Sequence, residues 1–134
     1  MASNSKTKPI TPANMRALAI ELIDYFNEQG YWFDMGIYVD GERWSSNLVK
    51  PSDDFEEKKT EKGTVYYVKK DINVKEYLEY CNPETVSLYF EGPLYHAVNY
   101  DDYNLLSKLD KKFLDKYGLY FEQGYAWSMA AYEI

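Results

Sequence analysis

One cysteine, Cys81, and one histidine, His96, are the chain's only thiol and imidazole. As nucleophile and base they would suffice for covalent catalysis if folding brought them together. Their surroundings point elsewhere. Cys81 falls on an apolar stripe with Val74, Tyr77 and Leu78, where cysteine behaves as a small hydrophobe. His96 alternates with Leu94 and Val98 and reads as a packed or edge position on a strand. Zinc-type ligation needs several Cys and His side chains and is excluded. Asp53, Asp54, Glu56 and Glu57 would be oxygen ligands for Mg²⁺, but their run reads as a solvated loop. No phosphate-cradling glycine loop, dinucleotide fingerprint or nucleophile elbow occurs. Of carboxylate–lysine runs of the nuclease kind, Glu57-Lys58-Lys59 and Glu61-Lys62 read as part of the same loop, not as adjacent strand positions, so the match is poor. The expectation is a chain with no catalytic residues, no metal and no cofactor.

The residues that do recur are tyrosine and carboxylate. LYFEG at 88–92 and LYFEQG at 119–124 share a pattern, and IYVDG at 37–41 echoes it. On a strand, residues two apart share a face. Tyr38 with Asp40, Tyr89 with Glu91, and Tyr120 with Glu122 are therefore three Tyr–acid pairs, and Trp32 with Asp34 is a fourth of similar type. The chain holds 15 tyrosines and a net charge of -7. Tyrosine is enriched in binding surfaces, and an acidic surface is repelled by a phosphate backbone. The implied partner is a basic protein surface, an Arg/Lys groove that ordinarily holds nucleic acid. Carboxylates would take the place of phosphates there, and tyrosine rings would pack on guanidinium groups. Small acidic inhibitors from phages and mobile elements, of the anti-CRISPR and anti-restriction type, work in this manner; the likeness is one of class and not of sequence. Two other readings use the same residues. Tyrosine and an acid before a glycine turn are also ordinary strand surface. Alternatively, Trp32, Trp44, Trp127 and nearby tyrosines would line the pocket of a small-ligand-binding domain.

These pairs have to be carried by strands, and the chain writes the elements clearly in places. Thr11-Pro12 caps a helix whose Met15, Leu18, Leu22 and Phe26 share a face, and Gly30 ends it. Met35, Ile37 and Val39 alternate with polar or small neighbours, and Asp40-Gly41 predicts a hairpin. Residues 47–63 read as an exposed polar loop, and 64–70 as a strand. A short helix is expected from Asp71 or Asn73 to Cys81, stopped by Asn82-Pro83. Val86, Leu88 and Phe90 then form a strand, Gly92-Pro93 a turn, and LYHAVN a return strand. A helix from Asn99 or Asp101 to Tyr117 and a final hairpin complete the chain. The pattern predicts one α+β domain over 12–134, preceded by a flexible tail over 1–11. Three helices lie on one face of a mostly antiparallel, hairpin-connected sheet, with a weak threefold helix–strand–strand repeat. The lone cysteine suits a reducing compartment. The N-terminal ten residues carry no secretory apolar run, and no apolar stretch is long enough to span a bilayer, so a cytoplasmic setting is expected.

Overall fold

A computed structural model describes residues 7–46 and 50–134. Thr11 opens the first helix, α1 (Pro12–Glu28): its hydroxyl accepts the Asn14 amide at 3.1 Å, and Pro12 takes the first position. The apolar stripe expected from the sequence is the buried one, Met15, Leu18, Ala19, Leu22, Ile23 and Phe26. One carboxylate enters with it. Asp24 is buried and accepts the hydroxyls of Thr60 and Thr64 at 2.6 and 2.7 Å, so the charge is satisfied and a distant turn is tied to the helix.

Seven strands follow: β1 (Met35–Val39), β2 (Glu42–Ser45), β3 (Glu56–Lys59), β4 (Val65–Lys69), β5 (Val86–Phe90), β6 (Leu119–Gln123) and β7 (Ser128–Glu133). They form one sheet in the order β3-β4-β2-β1-β5-β7-β6, and every pairing is antiparallel. The β1–β2 turn is made by Asp40 and Gly41, whose φ values of 51° and 69° suit a tight two-residue hairpin. Inward alternates such as Ile37, Trp44, Val68, Leu88, Phe121 and Met129 meet α1 and the shorter helices α2 (Pro93–His96) and α3 (Leu105–Leu109) in one core. The α+β class, with helices on one face of an antiparallel sheet, is therefore as expected. Among the described residues no helix is long and apolar enough to cross a membrane.

Several expected elements differ, each for a local reason. Part of the tail is held: the amides of Thr7 and Lys8 both donate to the Lys116 carbonyl at 2.9 Å, and Ile10 packs on the core; residues 1–6 lie outside the described residues. Of the expected loop 47–63, residues 47–49 lie outside the described residues; 50–63 are mostly exposed apart from the buried Phe55 and Thr60, yet they contain the edge strand β3, paired with β4 from Glu56↔Val68 to Lys59↔Val65. Charged side chains suit a sheet edge, where they discourage further pairing. LYHAVN is helical. Pro93 starts α2, and Leu94, Ala97 and Val98 bury themselves at three- and four-residue spacing, a period hidden by a misleading alternation. With no return strand after β5, the threefold unit is not formed. The helix expected up to Tyr117 is broken. A turn precedes α3, and a widened turn over Asp110–Leu114 begins where the Asp110 carboxylate accepts the Phe121 amide of β6 at 2.8 Å. Gly118, at φ 70°, closes it.

The second expected helix is one short turn, Val74–Glu76, capped by the Asn73 side chain. A segment this short does not sustain an α-helix without help, and here the sheet offers a better burial site. Residues 71–84 instead cross the face of the sheet opposite the helices as a strap. The Ile72 amide bonds the Gly41 carbonyl at 2.8 Å at one end, and the Asn82 side chain bonds the Ala131 carbonyl at 3.0 Å at the other.

Candidate functional site

The strap makes the outer face of the sheet a second, smaller packed layer. Val74 and Leu78 are buried against Tyr38, with Ile72, Cys81, Tyr89 and Trp127 packed around them. At its centre is an arginine in a box of tyrosines. Register places Arg43 of β2 opposite Tyr38 of β1, and Gly36 opposite both Ser45 and Tyr89. Because Gly36 has no side chain, the Tyr89 ring lies across it: a Cβ there would sit 2.5 Å from the Tyr89 Cε1. The Tyr89 hydroxyl thereby reaches Arg43 Nη2 at 3.1 Å and Ser45 Oγ at 3.2 Å. The guanidinium lies 4.9 Å from the Tyr89 ring centre, 5.8 Å from that of Tyr38 and 5.9 Å from that of Tyr77 on the strap. Tyr38 and Tyr77 stack at 5.8 Å. Burial pushes the Tyr38 phenol up to about 12, against the pull of the adjacent Arg43 charge. Arg43 Nε is buried and has no hydrogen-bond partner among the described residues.

Beside this box the strap meets the β6–β7 turn. Tyr80 and Tyr125 pack edge to face at 5.1 Å, and Tyr125 stacks on Trp127 at 5.2 Å and 15°. Gly124 permits the contact, since a Cβ there would come within 2.7 Å of the Tyr80 Cβ. The Tyr125 hydroxyl donates to the Glu79 carboxylate. Further along the hairpin, Tyr120 and Tyr132 face each other across the strands, and the Tyr120 hydroxyl donates to Glu122 at 3.1 Å. That bond, with the Glu122 charge, raises the Tyr120 phenol.

The residues singled out in the sequence are scattered by this arrangement. Tyr38, Tyr89, Tyr120 and Glu122 do lie on the outer face, as the alternation required. Tyr38, however, is 5% exposed because the strap covers it, and Tyr89 is half-buried in the box. Asp40 stands exposed at the β1–β2 turn, 3.4 Å from Arg16 of α1. Glu91 lies at the opposite end of the β1–β5 pair, where its amide bonds the Asp34 carbonyl at 3.0 Å. Asp34 and Glu91 are thus neighbours, whereas Asp40, Glu91 and Glu122 do not form one cluster. Trp32 is a correction. It precedes β1 and is buried in the core, with its indole donating to the Val65 carbonyl at 3.0 Å; the reversed backbone of Asp34, φ 54°, breaks the alternation that would have put it outside.

The other constellations also come apart. Trp32 and Trp44 are buried in the helix-side core while Trp127 lies on the outer face, so the three do not line one pocket. Cys81, on the strap itself, packs partly buried against the outer cluster, where desolvation raises its thiol, whereas His96 packs against Tyr95 and Tyr100 on α2 and beyond. Asp54 pairs with Lys69 at 3.4 Å, and Glu56 and Glu57, adjacent on β3, point to opposite faces. Tyr77, Tyr80 and Tyr125, absent from the repeated Tyr–acid pattern, are the exposed aromatics of the outer face. The signal for two of them was present in EYLEY at 76–80, hidden by treating Tyr77 as a helix-core residue. Neither a family model, nor a curated protein, nor a solved structure matches the chain.

Proposed function

We propose that this protein is a non-catalytic, acidic interaction module whose partner is a basic protein surface. The carrying observation is the charge of the outer layer. Around the half-buried Arg43, the strap and the outward positions of the β6–β7 hairpin contain Asp71, Glu76, Glu79, Glu84 and Glu122 against one exposed cation, Lys75. Tyrosines lie among these carboxylates, the mixture that suits recognition of Lys- and Arg-rich surfaces. The finer reading is that the partner's surface is a nucleic-acid-binding groove and that the module blocks it. It would do so in the cytoplasm, as anti-CRISPR and anti-restriction inhibitors of phages and mobile elements do, with carboxylates in the places of phosphates.

The test is capture of partners from a cell extract on immobilised protein, with duplex DNA as competitor across a salt series. Nucleic-acid-binding proteins should be retained, released as salt rises, and displaced by the duplex. Retention that is indifferent to both salt and duplex would overturn the reading.

A further inference from the structure

We infer that the aromatic ridge of the outer face, Tyr77 and Tyr80 of the strap with Tyr125 and Trp127 of the hairpin turn, is a docking surface selective for arginine over lysine. The inference rests on the proposed acidic-module reading and specifies its contact site. The occupant is an exposed, arginine-bearing segment of the partner.

Tyr77, Tyr80 and Tyr125 are 46%, 49% and 41% exposed, although tyrosines of the same face such as Tyr38 are covered. Exposed rings gathered in one place mark an interaction surface more often than solitary ones do. Their order is set by contacts. Tyr80 lies edge-on to Tyr125, Tyr125 is parallel to Trp127, and the close approach at Gly124 keeps turn and strap together. The ridge is therefore preformed, which lowers the ordering cost of binding. Carboxylates accompany it: Glu79 is held by the Tyr125 hydroxyl, and Glu76 adjoins Tyr77. Lys75 is the one exposed cation of the strap, so the strap's exposed carboxylates outnumber it.

The preference for guanidinium follows from what the same face already holds. Arg43 shows a guanidinium accommodated among Tyr38, Tyr77 and Tyr89, with a phenol oxygen accepting one of its N–H groups. Tyr77 is a wall of that box, and it is 46% exposed three residues from Tyr80 on the same strap. A planar, weakly hydrated guanidinium stacks on such rings and bonds a carboxylate in the same pose; an ammonium, compact and strongly hydrated, gains less from the rings.

The probes are octa-arginine and octa-lysine, equal in charge, titrated into the intact protein. Binding is followed by heat and by the change in tryptophan emission, which is assigned to Trp127 because Trp32 and Trp44, though they also emit, are buried away from the ligand. Octa-arginine should bind about tenfold more tightly, the sum of a few cation–π contacts, and shift the emission in wild type but not in Trp127→Phe. Tyr80→Ser with Tyr125→Ser should abolish the preference, and Tyr80→Phe should keep it, since the ring and not the hydroxyl is required. Tyr103→Ser, at an exposed turn before α3, is the control that should change nothing. Melting temperatures confirm that each variant is folded. Equal binding of the two peptides, or a preference that survives the double serine variant, overturns the ridge and leaves a basic partner standing. Binding of neither peptide overturns the acidic-module reading and the ridge together.

Discussion

Gly36 decides the geometry of the outer face, because the Tyr89 ring occupies the space its side chain would need. Gly36→Ala should expel that ring, break the bonds from its hydroxyl to Arg43 and Ser45, and cost about 1–3 kcal/mol by overpacking. In a Tyr89→Ala background the same substitution should cost much less; urea melts of the four proteins in the cycle give the coupling. Equal costs in both backgrounds would mean that the ring does not depend on the glycine. Tyr38 sets a second expectation. Its phenol is raised from its ordinary 10 to about 12 by burial. The neutral form is therefore the one that the folded state prefers. Its contribution is complete below about pH 10, the ordinary tyrosine value, and is lost as pH rises through about 12. Chemical melts across that window should show stability falling, and falling less steeply in Tyr38→Phe. Equal slopes would assign the loss to other groups.

Helix α1 and the strap are contrasting elements. The helix is long, capped and buried along one stripe, so Leu22→Ala should cost about 2–5 kcal/mol by lost transfer energy and a cavity. Leu78 is nearly as buried but belongs to the small outer cluster. Leu78→Ala should cost less in a urea melt and should act locally, speeding amide exchange in the strap before the sheet. A melt unaffected by the first substitution, or a second that unfolds the sheet at the same rate as the strap, would contradict this ranking. The strap also explains why its own structure was hard to read: Val74, Leu78 and Cys81 have the spacing of a helix, but the segment is too short to gain from one and is tied at both ends across strands.

The whole molecule is acidic, and its acids are unevenly placed. If recognition uses the outer layer, reversing Glu76, Glu79 and Glu122 to lysine should weaken octa-arginine binding far more than reversing Asp53, Asp54 and Glu56, which changes net charge equally. The difference should narrow as salt rises. All six are exposed, so each substitution should move stability by only about 0.5 kcal/mol or less. Matching losses from the two triples would leave bulk charge as the cause. Unfolding of the first would make those carboxylates structural.

Local physics was legible in the residues. The Thr11-Pro12 start and the stripe of α1, the Asp40-Gly41 hairpin, and the inward Leu and Phe of both LYFE copies follow from capping, turn chemistry and period-two alternation, which act within a few residues. The net charge is likewise a property of composition. Everything that depends on which distant surfaces meet was decided only by packing. Asp34's reversed backbone sends Trp32 inward. Leu94, Ala97 and Val98 turn from strand to helix because a core wall needs covering. The strap buries Tyr38 and leaves Tyr77 and Tyr80 outside. The three Tyr–acid pairs look equivalent in sequence, but one strand ends at a hairpin turn, one at a helix start and one on the edge hairpin. Side-chain burial depends on the neighbour across the sheet, and no spacing along the chain specifies that neighbour.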